Sequence, residues 1–312
     1  MKIVHLCLAN YFVDNYAYQE NMLAKYHILQ GHDVTVVASL RTYQEGVVHY
    51  LTDPDNYISR EGYRVRRIDY KGPLPTFNGF FPRYRDLIPA LEDEAPDVLF
   101  MHGSQFMDIA KVGRYIDRHP GVKAYVDNHA DLYNSGKKWL SLHILHKIIW
   151  RHYARLIEPR VERFFGVTPV RCRFLEQYYK IPAQKIDLLL LGVDDEALKY
   201  HKRSEIRKKI RSDLGISPDD FVLVAGGRIE ERKKFHLLMQ AVVEMDRPNM
   251  KLILFGNRNS DMEPLLQHYS QSDSIHYLGW IEAEKAYEYF LASDLAVFPG
   301  SHSVYSEQAT GS

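Results

Sequence analysis

Two cationic side chains stand beside a pair of glycines in the second half of the chain. The segment FVLVAGGRIEERKKFHLLMQAV reads as an apolar strand, a turn that contains Gly227, then Arg228, and then Lys233 where a helix begins. Glycine lets a ligand approach the backbone, the first helical turn offers unpaired N–H groups, and Arg and Lys supply fixed positive charge. This order indicates a phosphate-binding loop. A surface helix with a solvated basic edge is the alternative that the spacing leaves open.

A second group of polar residues follows an apolar run in the first half. Asp127, His129 and Asp131 alternate in YVDNHADLYNSG, and His102 follows another apolar run in FMHGSQ. Open α/β sheets bind ligands at the carboxyl ends of their strands, so these side chains are candidates for a ligand-binding site. An Asp-x-His-x-Asp pattern can also hold a metal ion, but alternation brings the three side chains together only if the strand continues. No metal site is therefore predicted.

These residues need a scaffold, and the hydrophobic pattern supplies one. Short apolar runs alternate with longer amphipathic segments, which is the pattern of parallel strands joined by crossover helices. The fold class is predicted to be α/β, with two Rossmann-like domains that meet near residue 195, where an apolar strand gives way to a charge-dense stretch. The predicted strands are 3–8, 33–38, 63–68, 97–101, 123–126 and 164–167, followed by four more that begin near 221, 251, 274 and 294.

The last residues, SVYSEQATGS, carry the start of a helix with no strand after it. A doubly wound sheet that ended in this way would lack its final crossover units. We therefore expect the second domain to be incomplete and the sequence to be a fragment of a longer one.

Several segments in a common order resemble the retaining glycosyltransferases of family four. The likeness is carried by the spacing of Arg228 and Lys233, by LGVDDEAL, by YLGWIEAEKAYEYFLASDLAVFPGSHSVYSEQATG and by the opening βαβ unit with GHDVTVV. The resemblance covers nearly the whole chain. It implies the GT-B fold, with an acceptor-side domain at 1–195 and a nucleotide-sugar-binding domain at 196–312. It also implies a transferase that moves a sugar, with retention, from a nucleotide diphosphate to a hydroxyl of a glycan or lipid-linked acceptor.

The resemblance also implies roles for residues of the second domain. Arg228 and Lys233 would hold the donor diphosphate, so that the nucleotide sugar is a substrate and no metal or other cofactor is needed. Glu307 would accept hydrogen bonds from the ribose hydroxyls, although a carboxylate near a helix N-terminus is also favourable without any ligand. Gly279 and Trp280 fall where the family contacts the base. Further donor contacts would come from Ser303 and Val304, whose backbone N–H groups precede the last helix.

One position departs from the family pattern. A second glutamate usually stands eight residues before Glu307, where this chain has Pro299. His302 is a candidate for part of its role, and the identity of the donor sugar is the property most affected. In the first domain, the resemblance implies that His129 orients or polarises the sugar without acting as a nucleophile. Asp127, Asp131 and His102 are the candidates on the acceptor side.

Composition limits the partners. Forty Lys plus Arg balance forty Asp plus Glu, so no whole-molecule field favours nucleic acid or an acidic membrane. Cys7 and Cys172 sit in apolar runs without metal or redox spacing, which is typical of a reducing, cytoplasmic setting. The segment 137–151 combines basic residues, tryptophans and aliphatics. It predicts either a helix packed on the sheet or peripheral contact with the inner face of a membrane.

The resemblance suggests a role in bacterial surface-polysaccharide assembly and leaves two rival functions. A GT-B sugar-nucleotide epimerase would act without a glycan acceptor. A non-catalytic remnant or scaffold would be consistent with Pro299 and with the abrupt end of the second domain. A Rossmann dehydrogenase is disfavoured because no G-x-G-x-x-G follows the first strand.

Overall fold

The computed structural model describes residues 1–44, 47–71, 81–198, 202–300 and 303–312. Contacts between Cα atoms divide the chain into Met1–Leu190 and Leu191–Ser312, which are called the first and second units below. The sequence pattern places the joint at 195, whereas residues 191–195 group with the second unit in the structure.

The first unit is built on a mostly parallel sheet. Its spatial order is β10-β9-β8-β7-β1-β2-β6-β5; β5 pairs with β6 in the antiparallel sense, and β3 and β4 form a separate antiparallel hairpin. The strands are β1 Lys2–Cys7, β2 Asp33–Ser39, β3 Arg41–Gln44, β4 Val47–Tyr50, β5 Asn56–Ile58, β6 Arg64–Ile68, β7 Val98–His102, β8 Lys123–Asn128, β9 Arg163–Gly166 and β10 Ile186–Leu188.

Helices cover this sheet and connect its parallel strands. The long connection after β8 begins with a π-helix that runs directly into an α-helix, and Thr168 caps a later helix by accepting the N–H of Arg171. The helices are α1 Gln19–Leu29, α2 Leu87–Glu94, α3 Ile109–Arg118, the π-helix Ser141–Trp150, α4 Arg151–Ile157 and α5 Pro169–Phe174, with a π-turn Leu175–Tyr179 and short 3₁₀ turns at Glu158–Arg160 and Ala183–Lys185.

The second unit has a parallel sheet in the order β13-β12-β11-β14. Its strands are β11 Phe221–Gly226, β12 Met250–Phe255, β13 Ile275–Tyr277 and β14 Leu295–Ala296. Its helices are α6 Asp195–Leu198, α7 Arg203–Asp213, α8 Phe235–Glu244, α9 Glu263–Tyr269, α10 Ala283–Ala292 and α11 Val304–Gly311, with 3₁₀ turns Glu231–Lys233 and Ser260–Met262.

All ten strands expected from the sequence are present within a few residues of their predicted limits, and the α/β class is confirmed. The apolar strand expected before the domain joint corresponds to β10, and the elements that the pattern did not indicate are the β3–β4 hairpin and β5. They are short and lie at sheet edges or outside the main sheet, where burial imposes little hydrophobic periodicity.

A charged network joins α7 to the start of β14 in the second unit. Asp294 accepts from Arg207 at 2.6 Å, from Arg211 at 2.7 Å and from the backbone N–H of Val222 at 2.7 Å. Arg211 is only 3% exposed. Burial alone would raise the pKa of Asp294, but the Val222 hydrogen bond and the two guanidinium groups outweigh it and lower the pKa.

The long helical connection of the first unit can be compared with the length that a bilayer requires. Across the parts of the chain that the structure describes, no helix has both the length and the apolar character needed to cross a bilayer.

Candidate active site

Glycines bring three loops of the second unit into close contact. A Cβ on Gly256 would lie 1.8 Å from the carbonyl oxygen of Gly227, and one on Gly300 would lie 2.5 Å from backbone atoms of Lys233. Gly227 itself has a φ of 128°, and the nearest atom to its missing Cβ is the Ser303 Oγ at 3.5 Å. At Gly256 and Gly300 only glycine allows this approach, because a Cβ would collide with backbone, whereas at Gly227 the positive φ favours glycine. The loops after β11, β12 and β14 therefore meet at the turn that the sequence indicated.

Both predicted cations lie on the loop between β11 and α8. Arg228 follows Gly227 and is partly buried, while Lys233 closes the 3₁₀ turn Glu231–Lys233 and is only 9% exposed. The backbone then passes through a left-handed residue, Lys234 with φ 56°, before α8 begins. Charges in such a partly desolvated loop act on an anion more strongly than charges in water. This loop can bind a diphosphate.

The last helix supplies the other predicted donor residues. α11 begins at Val304, with Ser303 in extended conformation at its N-cap. Glu307, in the first turn, accepts the backbone N–H of Leu191 at 2.9 Å and of Gly192 at 3.3 Å through Oε2. This contact joins residues 116 positions apart, and no local pattern in the sequence indicates it.

The structure describes part of the loop around Pro299, the position where the family usually has a second glutamate. Pro299 is exposed, so it occupies the loop without taking part in the core. Ser301 and His302 lie outside the described residues.

Gly279 and Trp280 follow β13. Gly279 has a φ of 71°, and its carbonyl oxygen accepts the N–H of Gly256 at 2.7 Å, which ties this turn to the loop after β12. The Trp280 side chain is 57% exposed. An exposed aromatic ring held on a fixed turn can stack on a planar group.

In the first unit, the carboxyl ends of β7 and β8 bring three predicted residues together. His102 and Asp127 are partners in the register of these strands, and His102 Nδ1 lies 2.6 Å from Asp127 Oδ2. His129 Nε2 lies 3.3 Å from the same oxygen. Asp127 is fully buried, whereas the His129 side chain is 41% exposed. The His129 ring can therefore face a ligand while the Asp127 carboxylate contacts it from the buried side.

The electrostatics of this pair favour charge separation. Burial alone would raise the pKa of Asp127, but His102 and His129 outweigh it, and the pKa lies well below its usual range. Burial would lower the pKa of His129, yet the adjacent Asp127 carboxylate raises it above the ordinary value. Asp127 is thus held as an anion, and His129 can donate a hydrogen bond or carry a proton near neutral pH.

Asp131 is placed elsewhere. Its carboxylate accepts the backbone N–H groups of Tyr133 at 2.8 Å and Asn134 at 2.7 Å, and it pairs with Arg171 at 3.1 Å. The strand ends at Asn128, whose side-chain amide donates to the carbonyl oxygen of Ala130 at 2.9 Å. The alternation of side chains therefore stops before Asp131. Asp131 therefore holds its own loop, and its place on the acceptor side stays a prediction.

Glu20, on α1, is a further neighbour of this site. Glu20, His102 and His129 each offer one potential ligand atom, and these atoms lie within 4.8 Å of one another. Both ring nitrogens of His102 are already engaged, one by Asp127 and the other by His5. An ion bound by all three residues would have to displace one of these partners.

Two histidines extend the cluster beyond the residues that the sequence indicated. His5 Nδ1 lies 3.0 Å from His102 Nε2, and His5 Nε2 lies 3.0 Å from His27 Nδ1. Burial is the largest cause that lowers the pKa of both rings, that of His27 to about 4. The available sequence signal was a histidine in the middle of the buried strand KIVHLC. Its partners are brought to it only by tertiary structure.

The two α/β units have the architecture of GT-B glycosyltransferases. The fold is similar to that of sucrose-phosphate synthase from Thermosynechococcus elongatus, with a TM-score of 0.66 and 15% identity over 96% of this chain and 75% of that chain. It is also similar to Anabaena HepE in complex with UDP, with a TM-score of 0.64 and 12% identity over 97% of this chain and 75% of that one.

Family models agree with this fold. The model described as Glycosyltransferase Family 4 matches residues 21–197, more than half of the chain, and the model described as Glycosyl transferases group 1 matches residues 206–308. The chain therefore belongs to the glycosyltransferases that these models describe.

The curated relatives are matched over limited stretches. The lipopolysaccharide core biosynthesis glycosyltransferase LpsD of Rhizobium meliloti (strain 1021) is 33% identical over 92 residues, which cover 30% of this chain and 26% of that protein. Across the curated relatives, the matched stretches span from 21% to 35% of the relative's length.

Proposed function

We propose that this chain transfers a sugar from a nucleotide diphosphate donor to a hydroxyl group of a glycan or lipid-linked glycan, with retention of anomeric configuration. The observation that supports it most is the glycine-lined loop that carries Arg228 and Lys233 beside the N-terminus of α11. Family membership supports the transferase class, and the resemblance of the site motifs to retaining enzymes supports the stereochemistry.

The reaction breaks the bond between the anomeric carbon and a phosphate oxygen. The new bond to the acceptor oxygen forms on the same face of the sugar, and the hydroxyl proton leaves with the departing phosphate. Negative charge builds on the diphosphate as the bond breaks, so Arg228 and Lys233 would stabilise the transition state more than the bound donor. The backbone N–H groups of Ser303 and Val304 would add to this stabilisation.

The remaining residues would orient the donor. Glu307 would accept hydrogen bonds from the ribose hydroxyls, and Gly279 and Trp280 would contact the base. His129, supported by Asp127, would donate a hydrogen bond to a hydroxyl of the reacting sugar. No step requires a metal ion, because side-chain cations meet the diphosphate charge.

The proposal includes a role in bacterial surface-polysaccharide assembly, which one of the curated relatives supports. LpsD is named as a lipopolysaccharide core glycosyltransferase. Acceptors of this kind are anchored in a membrane, so the protein would work in the cytoplasm at the inner face of that membrane.

The surface of the first unit offers a place for this contact. Trp139, Leu140 and Ile148 are 68%, 63% and 59% exposed, and Lys137 and Lys138 precede them in an exposed stretch. An exposed apolar stripe next to lysines suits the interface of an anionic bilayer, where rings and aliphatic groups enter the headgroup region and ammonium groups meet phosphates. The segment 137–151 can both pack on the first unit and contact a membrane, because the same helix buries His146 and Trp150.

The proposal is tested with a panel of nucleotide sugars and lipid-linked glycan acceptors. We expect one donor to be consumed with formation of an elongated acceptor, and NMR of the product to show the donor's anomeric configuration. An inverted product would contradict retention. Consumption of no donor and binding of no nucleotide would contradict the transferase assignment.

Pro299 gives one specific reason to consider a non-catalytic scaffold, since it stands where a donor-contacting glutamate is usual. A scaffold need not bind nucleotides. Calorimetric titration with nucleoside diphosphates therefore separates the two functions, and a measurable affinity favours the transferase.

A further inference from the structure

A string of hydrogen-bonded imidazole rings leads away from Asp127. His102 contacts Asp127 at 2.6 Å, His5 contacts His102 at 3.0 Å, and His27 contacts His5 at 3.0 Å. The four residues come from β8, β7, β1 and α1 in turn. His5 is fully buried, His102 is 8% exposed, and His27 is partly buried. The string thus runs from a buried carboxylate toward the surface of α1.

The carboxylate determines the direction of the first hydrogen bond in the string, and the rings that follow determine the rest. An ionised Asp127 can only accept, so His102 must donate from Nδ1. A neutral His102 then accepts at Nε2 from His5 Nδ1–H, and a neutral His5 accepts at Nε2 from His27 Nδ1–H. Burial lowers the pKa of His5 and His27, which keeps both rings neutral. In the arrangement that starts from a neutral His102, all three rings carry their proton on Nδ1.

Asp127 depends on these donors. Within the described residues, its Oδ1 has no hydrogen-bond partner, and the side chain is fully buried. A buried carboxylate is costly unless donors compensate for the lost water. His102 donates to Oδ2, and His129 Nε2 lies 3.3 Å from the same oxygen as an ion-pair partner.

We propose that His102, His5 and His27 are positioning residues for glycosyl transfer, which hold the buried Asp127 carboxylate in place and stabilise its charge so that it can orient His129. This inference rests on the proposed function, because His129 is taken to contact the reacting sugar.

The charged groups around His129 come from several elements. Asp127 lies on β8 and Glu20 on α1, and both favour the protonated ring; Arg171 on α5 opposes it. Loss of the proton from the Asp127–His129 pair leaves the buried carboxylate without its cationic neighbour. Any change that removes a donor from Asp127 destabilises that deprotonated state further. The pH at which His129 loses its proton must then rise.

The string is tested first in the unaltered protein. ¹⁵N NMR of histidine-labelled protein near pH 7 should show His102, His5 and His27 as neutral rings protonated at Nδ1. A neutral His5 protonated at Nε2 would overturn the proposal. This NMR measurement requires neither a nucleotide-sugar donor nor a glycan acceptor. Failure of the histidine string and failure of the transferase function are therefore distinguishable.

Substitutions then measure its effect on His129. His102→Leu removes the donor to Asp127 and should raise the midpoint of the His129 NMR titration by about one pH unit, the shift that one charged hydrogen bond corresponds to. His102→Asn keeps an N–H donor and should restore most of the wild-type midpoint. His5→Leu should give a smaller shift, since it acts only through His102, and exposed His152→Leu should give none.

Activity is followed in parallel. The alkaline limb of the pH profile of kcat should move with the His129 midpoint in His102→Leu and return in His102→Asn. An unchanged midpoint in a folded His102→Leu variant would overturn the positioning role, as would equal shifts in His5→Leu and His152→Leu.

Discussion

Glu307 accepts the backbone N–H of Leu191 at 2.9 Å, although 116 positions separate the two residues in sequence. The same carboxylate oxygen lies 3.3 Å from the N–H of Gly192. The side chain proposed to bind ribose is therefore oriented by the first residues of the second unit. A preoriented carboxylate loses less conformational entropy when a ligand binds.

Replacement of Glu307 by Ala should weaken nucleoside diphosphate binding about tenfold, because a charged acceptor for the ribose hydroxyls is lost. It should also lower the free energy of unfolding by about 1–2 kcal/mol, since two backbone N–H groups lose their acceptor. Calorimetric titration and urea denaturation measure the two effects. Exposed Glu244→Gln is the matched control, and equal nucleotide affinity in Glu307→Ala and the wild type would refute the ribose contact.

Contact with membranes should depend on the exposed stripe of the π-helical segment. The double variant Leu140→Ser, Ile148→Ser should bind anionic vesicles at least about fivefold more weakly, because two exposed apolar side chains no longer enter the interface. Vesicle sedimentation measures this loss, and binding of the wild type should weaken as salt screens Lys137 and Lys138. Leu237→Ser, at an exposed leucine of the second unit, should bind as the wild type does. Equal binding by all three proteins would rule out this stripe as the contact.

Acid should destabilise the first unit through His146. Its ring is buried beside the Tyr179 hydroxyl at 2.8 Å, and burial lowers its pKa to about 4. Unfolding restores a pKa of about 6.5. The stabilising contribution is therefore complete above about pH 6.5 and is lost as pH falls toward 4, about 2 kcal/mol of it by pH 5.

Urea denaturation at pH 7 and pH 5 checks this linkage. His146→Gln should be less stable at pH 7 and should lose less stability than the wild type on going to pH 5. A pH dependence identical to that of the wild type would show that His146 is not the titrating group.

The second unit should depend on Asp294. Asp294→Asn removes the negative charge that compensates buried Arg211, so the free energy of unfolding should fall by about 2–3 kcal/mol. Denaturant unfolding measures the change, with exposed Asp273→Asn as the control. A loss below about 0.5 kcal/mol would mean that the Arg211 charge is compensated in another way.

The sequence pattern predicted those features whose residues are contiguous in the chain. The strand, glycine turn and cations of the β11 loop are contiguous in sequence, and burial of parallel strands produces apolar runs that can be recognised directly. The adjacency of His102 and Asp127 could also have been predicted, because the two residues lie at the carboxyl ends of neighbouring strands.

Contacts between distant segments were not predictable in this way. His5 meets His102 across 97 positions, and each appears in sequence as a single histidine among fifteen. Side-chain hydrogen bonds turn the backbone after Asn128, so the alternation of Asp127, His129 and Asp131 ends there, an effect that the sequence pattern does not encode.

The central claim is that Arg228 and Lys233 stabilise a departing diphosphate, and transfer kinetics of Arg228→Ala and Lys233→Ala test it most directly. Each variant should keep the wild-type circular dichroism spectrum and lose at least about 100-fold in kcat, the effect typical of removing one preorganised charge donor. Exposed Arg232→Ala, on the same turn, should stay within about twofold of the wild type. Wild-type turnover in either folded variant would contradict the account.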